Sequence, residues 1–143
     1  MKKTICLTLV ILTFAFCLTA CNFTVNSLKD KAESTPKVEK MLTALTSGNS
    51  SEAKALLHPN ANADAGNAIN QMIGYLNGRS VSSTELTGVN FSSSVGTNGN
   101  VKQEQATYKV SLDGTETIYI TAVYLTNNAG SGFISFQLVL GVI

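Results

Sequence analysis

The sequence predicts an α+β domain in which N-terminal helices pack on a curved antiparallel four-stranded sheet. Up to Gly78, apolar residues recur three and four positions apart, which is the spacing of one helix face. After Gly78 the chain is rich in Ser, Thr, Val, Tyr and Ile, and turn residues separate its apolar runs, as in antiparallel strands. All helices therefore precede all strands, an order that favours the α+β class.

The first helix of the domain is predicted to begin at Thr35-Pro36, where a capping residue precedes a proline suited to the first turn. Gly48 closes this helix, because glycine adopts positive φ without strain. The apolar residues between these ends form one stripe, which comprises Val38, Met41, Leu42 and Leu45.

Two further helices are predicted before the strands. Asn49 caps the second, with Glu52 three residues later as in a capping box, and His58-Pro59 ends it. The third runs from about Ala65 to Asn77, and capping of this helix explains Asp64. Its apolar stripe comprises Ile69, Met72, Ile73 and Leu76.

The first strand region, from Val81 to Phe91, does not keep a single alternation of inward and outward side chains. Val81 is in phase with Phe91, whereas Leu86 is out of phase and Gly88 intervenes. This break indicates a β-bulge, which bends a strand and curves its sheet. The segment that follows, Ser92–Asn100, is predicted to be a flexible loop.

A turn at Asp113-Gly114 joins the next two strands and decides which side chains share a face. A two-residue turn would place the two apolar sets on opposite sides, whereas a three-residue loop that pairs Ser111 with Thr115 places both on one side. The loop is favoured, because each exposed Ile or Val would forgo ~1.5 to 3 kcal/mol of burial. The two sets are Ala106, Tyr108, Val110 and Leu112, and Ile118, Ile120, Ala122 and Tyr124.

The last strand is predicted to be a central strand that ends the domain. A membrane strand is excluded, because a lone strand cannot satisfy its backbone in lipid. One face carries Ile134, Phe136, Leu138, Leu140 and Val142. The opposite, outer face of the sheet is expected to carry Tyr119, Val123, Leu125, Phe133 and Val139. This outer face would be unusually apolar, so a homodimer through it is one hypothesis.

The N-terminus has the profile of an export signal. Met1–Lys3 is positively charged, and Ile5–Leu18 is apolar and uncharged. The run is shorter than the ~20 residues that a membrane-spanning helix needs, so we expect it to be removed. The four residues Leu18-Thr19-Ala20-Cys21 resemble the lipobox of bacterial lipoproteins. The alternative is an ordinary secretory peptide with an incidental cysteine.

The lipobox resemblance implies cleavage after Ala20 and acylation of Cys21, which would anchor the chain firmly to a membrane through its acyl chains. The chain then has three parts: a signal peptide (1–20), the lipidated cysteine with a tether (21–35) and a single α+β domain (36–143). The tether segment could instead extend the first helix backwards through Val25, Leu28 and Ala32.

The same resemblance implies a location in the cell envelope. Asn22, not Asp, follows the lipid-bearing cysteine, and in enteric-type lipoproteins such a residue generally permits release to the outer membrane. A Gram-negative organism would thus carry the chain on the periplasmic face of its outer membrane. An organism with one membrane would carry it on the outer face of the cytoplasmic membrane.

A second resemblance concerns the folded domain. Lys37–Pro59, with the letters KVEKMLTALTSGNSSEAKALLHP, looks like the opening of cystatin-like and nuclear-transport-factor-2-like domains. The resemblance covers roughly residues 36–143 and implies a helix packed in the hollow of a bent sheet. Such domains include ketosteroid-isomerase-like enzymes, ligand carriers and interaction modules, so the fold alone does not decide the function.

Composition excludes several classes of function. The chain has 10 basic and 9 acidic residues without a basic cluster, which argues against a nucleic-acid partner. After cleavage only Cys21 of the 3 cysteines would remain, so no internal disulfide is expected. One histidine and one lipidated cysteine cannot build a structural zinc site, and there is no phosphate-binding glycine loop. No metal or cofactor is therefore expected.

An enzyme of the ketosteroid-isomerase type would need a titratable group held against its substrate. The candidates are His58, Asp64, Glu85, Tyr75, Tyr108, Tyr119 and Tyr124. His58 is expected in a surface or capping role, and no carboxylate falls on a predicted inward face. Tyr108 and Tyr124 lie on the apolar face, either as core aromatics or lining a hollow.

These observations predict a membrane-anchored, non-enzymatic domain that binds an apolar small molecule or an envelope protein segment. The expected pocket residues are Tyr108, Tyr124, Met72 and Phe136. The alternative is an assembly module that acts as a homodimer, and an enzyme is the less favoured third hypothesis.

Overall fold

The computed structural model describes residues 32–97 and 99–141. They form helices α1 (Thr35–Thr46), α2 (Ser50–Ala55) and α3 (Ala65–Leu76), then strands β1 (Val81–Gly96), β2 (Gly99–Leu112), β3 (Glu116–Asn127) and β4 (Gly130–Leu140). The four strands make one antiparallel sheet in the order β1-β2-β3-β4. The predicted α+β class with a curved sheet is therefore confirmed.

The predictions for the signal peptide, for Cys21 and for residues 21–31 of the tether lie outside the described residues. The last four residues of the predicted tether are described: Ala32 and Ser34 are buried, and Thr35 begins α1. Within the described part, no helix is long and apolar enough to cross a membrane.

The helix ends differ in part from the predicted ones. Ser34, not Thr35, is the N-cap of α1, and its side chain does not cap the helix. Asn49 does cap α2: its side-chain oxygen accepts from the Glu52 amide at 3.1 Å, as the capping box requires. Asp64 lies at the N-cap of α3 but makes no side-chain cap bond, so the capping prediction for this residue is wrong.

The predicted bulge in β1 is confirmed. The register shifts between Leu86 and Gly88, with the result that Leu86 and Val89 oppose Tyr108 and Ala106 on the inner face of the sheet. The predicted loop Ser92–Asn100 is wrong, because β1 continues to Gly96 and pairs with the start of β2. Both faces of this hairpin arm are mostly exposed, which explains why its polar sequence does not read as a strand.

The β2–β3 turn leaves the apolar side chains of both strands on their predicted face, but the residues of the two strands pair in a different register from the predicted one. Leu112 opposes Glu116, so Ser111 does not pair with Thr115. Asp113 and Gly114 have φ of 52° and 75°, and the Thr115 amide donates to the Leu112 carbonyl at 3.1 Å. A slip of two residues leaves every side chain on its face, and both predicted apolar sets are buried together.

The fourth strand departs most from expectation. It lies at one edge of the sheet, so its prediction as a central strand is wrong. A register shift next to Tyr124 makes this residue oppose Phe133 and turns the Phe133 ring inwards, where it is fully buried. Phe133 therefore does not belong to an apolar outer face. Its ring packs edge-on against Tyr124 and Phe136, with ring centroids 5.2 and 5.4 Å apart.

The core lies between the helices and the inner face of the sheet. The stripe of α1 is buried there: Val38, Met41, Leu42 and Leu45. It packs in one cluster with fully buried residues of the two central strands, among them Tyr108, Ile118 and Ile120. Because these side chains are fully buried, the centre of the sheet is packed and not hollow.

Candidate functional site

A groove runs between α3 and the outer edge of β4. It consists of two adjoining depressions of about 280 and 410 Å³. Both are lined by Ala68, Met72, Phe136 and Gln137. Leu57 and Asp64 line the first depression, and Tyr75 and Val139 line the second. The groove therefore follows the strand for most of its length.

Exposed apolar side chains gather where β4 ends. In the described residues seven large apolar side chains are exposed, and four of them belong to this corner: Tyr75, Tyr119, Val139 and Leu140. Val139 and Leu140 are 55% and 53% exposed and point to opposite faces of the sheet. Tyr119 opposes Val139 on the outer face. Apolar surface thus flanks the strand edge on both sides, an arrangement that is typical of interaction sites.

The backbone of β4 is covered in its first half only. The Phe133 amide donates to the Leu56 carbonyl and the Phe133 carbonyl accepts from the His58 amide, each at 2.9 Å. Gly132 makes this approach possible, because a Cβ at that position would lie 2.5 Å from the His58 nitrogen. Beyond this bridge no described strand pairs with the outer side of β4.

The direction of the open backbone groups follows from one hydrogen bond. The Gly141 amide donates to the Thr117 carbonyl of β3 at 3.0 Å. Since successive residues of an antiparallel strand face opposite neighbours, the amides and carbonyls of Phe136, Leu138 and Leu140 point away from β3. The groove therefore combines apolar side chains with a row of backbone donors and acceptors.

The structure brings together two of the four predicted pocket residues. Met72 and Phe136 line the groove. Tyr108 is fully buried in the core, and Tyr124, which is 8% exposed, packs against Phe133 outside the groove. Burial raises the pKa of both tyrosines, so both hydroxyls stay protonated at neutral pH.

A second cluster, the polar junction, consists of Ser34, Thr35, Glu104 and Tyr108. Glu104 is 6% exposed, and its carboxylate accepts from the Glu33 and Ser34 amides at 3.0 and 3.3 Å. It also accepts from the Ser34 hydroxyl. Because that proton is used, the Tyr108 hydroxyl is the donor to Ser34 Oγ, at 2.8 Å.

The polar junction fastens the start of α1 to the sheet. A carboxylate beside free amides at a helix N-terminus is favourable, and here both carboxylate oxygens accept from donors of the protein. Sequence reasoning missed Glu104 and wrongly found no carboxylate on the inner face. The signal was present, because Glu104 precedes Ala106 and Tyr108 by two and four positions in the same alternation.

His58 is buried and holds the end of α2 to the β3–β4 turn, which corrects its expected surface position. Its Nδ1 accepts from the Asn60 amide at 2.9 Å, so the ring proton lies on Nε2. That nitrogen donates towards the Asn127 side-chain oxygen and the Gly130 carbonyl, at 3.1 and 3.2 Å. Both ring nitrogens therefore have structural partners.

An exposed charged cluster adjoins the groove through Tyr75, which lines the second depression. Arg79 Nε contacts the Asp113 carboxylate at 2.8 Å, and the guanidinium also pairs with Glu116, which accepts from the Tyr75 hydroxyl. Two hydrogen bonds lower the Asp113 pKa: the one from the Ser80 amide has the larger effect, and the one from Arg79 has the smaller. Arg79 similarly lowers the Glu116 pKa, whereas the bond to Glu116 raises the Tyr75 pKa.

The remaining predicted candidates do not join either cluster. Glu85 is exposed on β1 and opposes Lys109. Within the described residues, no group of three or more His, Cys, Asp or Glu side chains is placed to hold a metal ion.

Comparisons of the chain with family models, curated proteins and solved structures gave no match. The groove is therefore interpreted from its own geometry.

Proposed function

We propose that this protein is a non-enzymatic binding module, anchored in the cell envelope through a lipid on Cys21, whose groove binds an apolar protein segment in an extended conformation. One observation carries the proposal: the open backbone edge of β4 and the apolar lining of the groove coincide. The proposal includes the finer likeness to cystatin-like and nuclear-transport-factor-2-like cones, whose bent sheets host binding sites.

An extended segment fits this groove better than a small molecule does. Small ligands are mostly enclosed by their pockets, whereas this groove is a surface feature beside a strand. A peptide that adds to a sheet edge gains affinity from main-chain hydrogen bonds and specificity from alternate side chains. Phe136 and Leu138 supply the main-chain groups, and Met72 supplies apolar contact from α3.

Binding without chemistry agrees with the lining of the groove. Asp64 is the one charged residue that lines either depression, and it is exposed at the start of α3. General acid–base catalysis needs a titratable group held against the reacting atoms by other side chains. The Asp64 carboxylate makes no cap bond, so its own helix does not hold it in place.

A peptide-binding experiment tests the groove. The mature protein in detergent micelles is titrated into fluorescein-labelled peptides that are uncharged and alternate Leu with Ser, and anisotropy is recorded. Met72→Ala is expected to weaken binding about tenfold, because it removes about 1.5 kcal/mol of apolar contact. Phe91→Ala is the control, since Phe91 is an exposed apolar residue on the opposite edge strand. Equal affinity of the wild type and Met72→Ala would contradict the proposal.

Fatty-acid labelling in the host tests the anchor. We expect Cys21→Ala to abolish incorporation of labelled palmitate and to leave a precursor of unreduced size. The matched variant Cys17→Ala changes a cysteine inside the predicted signal peptide and is expected to keep the label. Normal acylation of Cys21→Ala would show that the lipoprotein assignment is wrong.

A further inference from the structure

We infer that the segment bound in the groove is β4 of a second copy of this chain, so that two sheets join edge to edge about a two-fold axis. The inference rests on the proposed function, because it uses the same groove. It replaces the predicted outer-face dimer by a different contact, since Phe133 is buried and unavailable to an outer face.

Charge distribution favours pairing of β4 with itself. A two-fold axis brings residues that lie close to it near their own copies, so a charged residue there would meet a like charge. The segment Gly130–Leu140 contains no charged residue. Each of the other strands does: β1 carries Glu85, β2 carries Lys102, Glu104 and Lys109, and β3 carries Glu116.

The two edges of the sheet are protected to different degrees. Strand β1 has two register shifts, a charged residue and mostly small polar side chains, and such features discourage edge pairing. The stretch Phe136–Leu140 of β4 has a regular register with β3 and contains neither a charge nor a proline. An edge of that kind is expected to have a partner strand.

The backbone geometry permits a two-fold register centred on Leu138. The amide and carbonyl of Leu138 point to the open side, so Leu138 can exchange both hydrogen bonds with Leu138 of the second copy. Phe136 then opposes Leu140 of the second copy, and the backbone groups of both also point outwards. The register thus satisfies the open donors and acceptors on both strands.

The side chains of β4 also match the groove. Leu138 and Leu140 lie on the inner face, where α3 contributes Met72 and Tyr75. Val139 lies on the outer face beside Tyr119. An added strand with apolar side chains on both faces would cover all of this surface. Strand β4 itself has such side chains, whereas the opposite edge strand would bring Ser and Asn residues into the groove.

A charge-pair experiment tests the inference directly. Gln137 is exposed on the outer face, and in this register it lies roughly 7 to 8 Å from its own copy. We expect the mature wild-type protein to be dimeric in detergent micelles by native mass spectrometry. Gln137→Lys alone and Gln137→Glu alone are each expected to weaken the dimer about tenfold or more. An equimolar mixture, with one variant ¹⁵N-labelled, is expected to restore a mixed dimer.

The matched control uses the same change on the same face of a central strand. Gln105 is exposed on β2, so Gln105→Lys and Gln105→Glu should dimerise like the wild type. The inference is overturned by a monomeric wild type, by a mixture that stays monomeric, or by equal loss of the dimer in the Gln105 variants. A monomer that still binds the peptide probe through Met72 would overturn the inference and leave the proposed function intact. Failure of both peptide binding and dimerisation would remove the proposed function as well.

Discussion

The polar junction and the groove show opposite uses of side chains within one domain. At the junction, polar groups are buried and each is paired: Glu104, Ser34 and Tyr108 form a connected set, and no buried side-chain nitrogen or oxygen of the described residues lacks a partner. In the groove, apolar side chains are exposed beside open backbone groups. The polar groups of the junction have partners within the chain, whereas β4 leaves backbone groups open beside the groove. We therefore interpret the junction as structural and propose the groove as the binding site.

The largest expected effect comes from breaking the junction. Glu104→Ala removes the acceptor of two amides and one hydroxyl, and it leaves the amide and hydroxyl of Ser34 buried without this acceptor. We expect the free energy of unfolding to fall by about 3 kcal/mol in urea titrations followed by circular dichroism. Glu104→Gln keeps the shape and one acceptor oxygen, so it should lose about half as much.

A substitution beside the groove, at the end of β4, sharpens the contrast. Leu140 is 53% exposed, so Leu140→Ala should change the free energy of unfolding by only about 0.5 kcal/mol when measured at protein concentrations low enough to exclude association. Equal destabilisation by Glu104→Ala and Leu140→Ala would mean that the two regions do not differ in the way described.

Periodicity predicted the faces of the sheet but not the details that depend on distant contacts. The apolar sets that contain Tyr108 and Ile120 were correctly predicted to share one face. Burial of both sets allows only registers that differ from one another by an even number of residues. A slip of two residues keeps every side chain on its face, so burial does not choose between such registers. The turn geometry at Asp113 and Gly114 therefore decides which residues of β2 and β3 pair. The inward turn of Phe133 depends on a register shift that no local pattern indicates.

The candidate site was predictable to the same extent. Met72 and Phe136 follow from apolar periodicity and do line the groove. That they lie beside an open edge depends on the strand order, which is a property of the whole sheet. Glu104 was missed because its partners, Glu33 and Ser34, are about 70 residues away in the chain, and a polar residue without visible partners does not look like a core residue.

The smallest expected effect concerns the exposed charged cluster, which has paired polar groups like the junction but lies in water. The pKa of Asp113 and that of Glu116 are lowered in the folded state, so their contribution to stability is present above their unfolded pKa and is lost as the pH falls through the folded value. Asp113→Asn removes one of these charges, and Asn tolerates the positive φ of this position.

We therefore expect the wild type to be slightly more stable than Asp113→Asn at pH 7, and the difference to shrink as the pH falls below about 4, where Asp carboxyl groups take up protons. Urea midpoints of both proteins at several pH values between these limits measure the change. Solvent screens ion pairs at the surface, so the difference should stay well below the effect of Glu104→Ala even at neutral pH. A difference that is the same at every pH would mean that Asp113 acts through its turn geometry and not through its charge. In that case the comparison of Asp113→Asn with Glu104→Ala would not measure how burial changes the contribution of a charged group to stability.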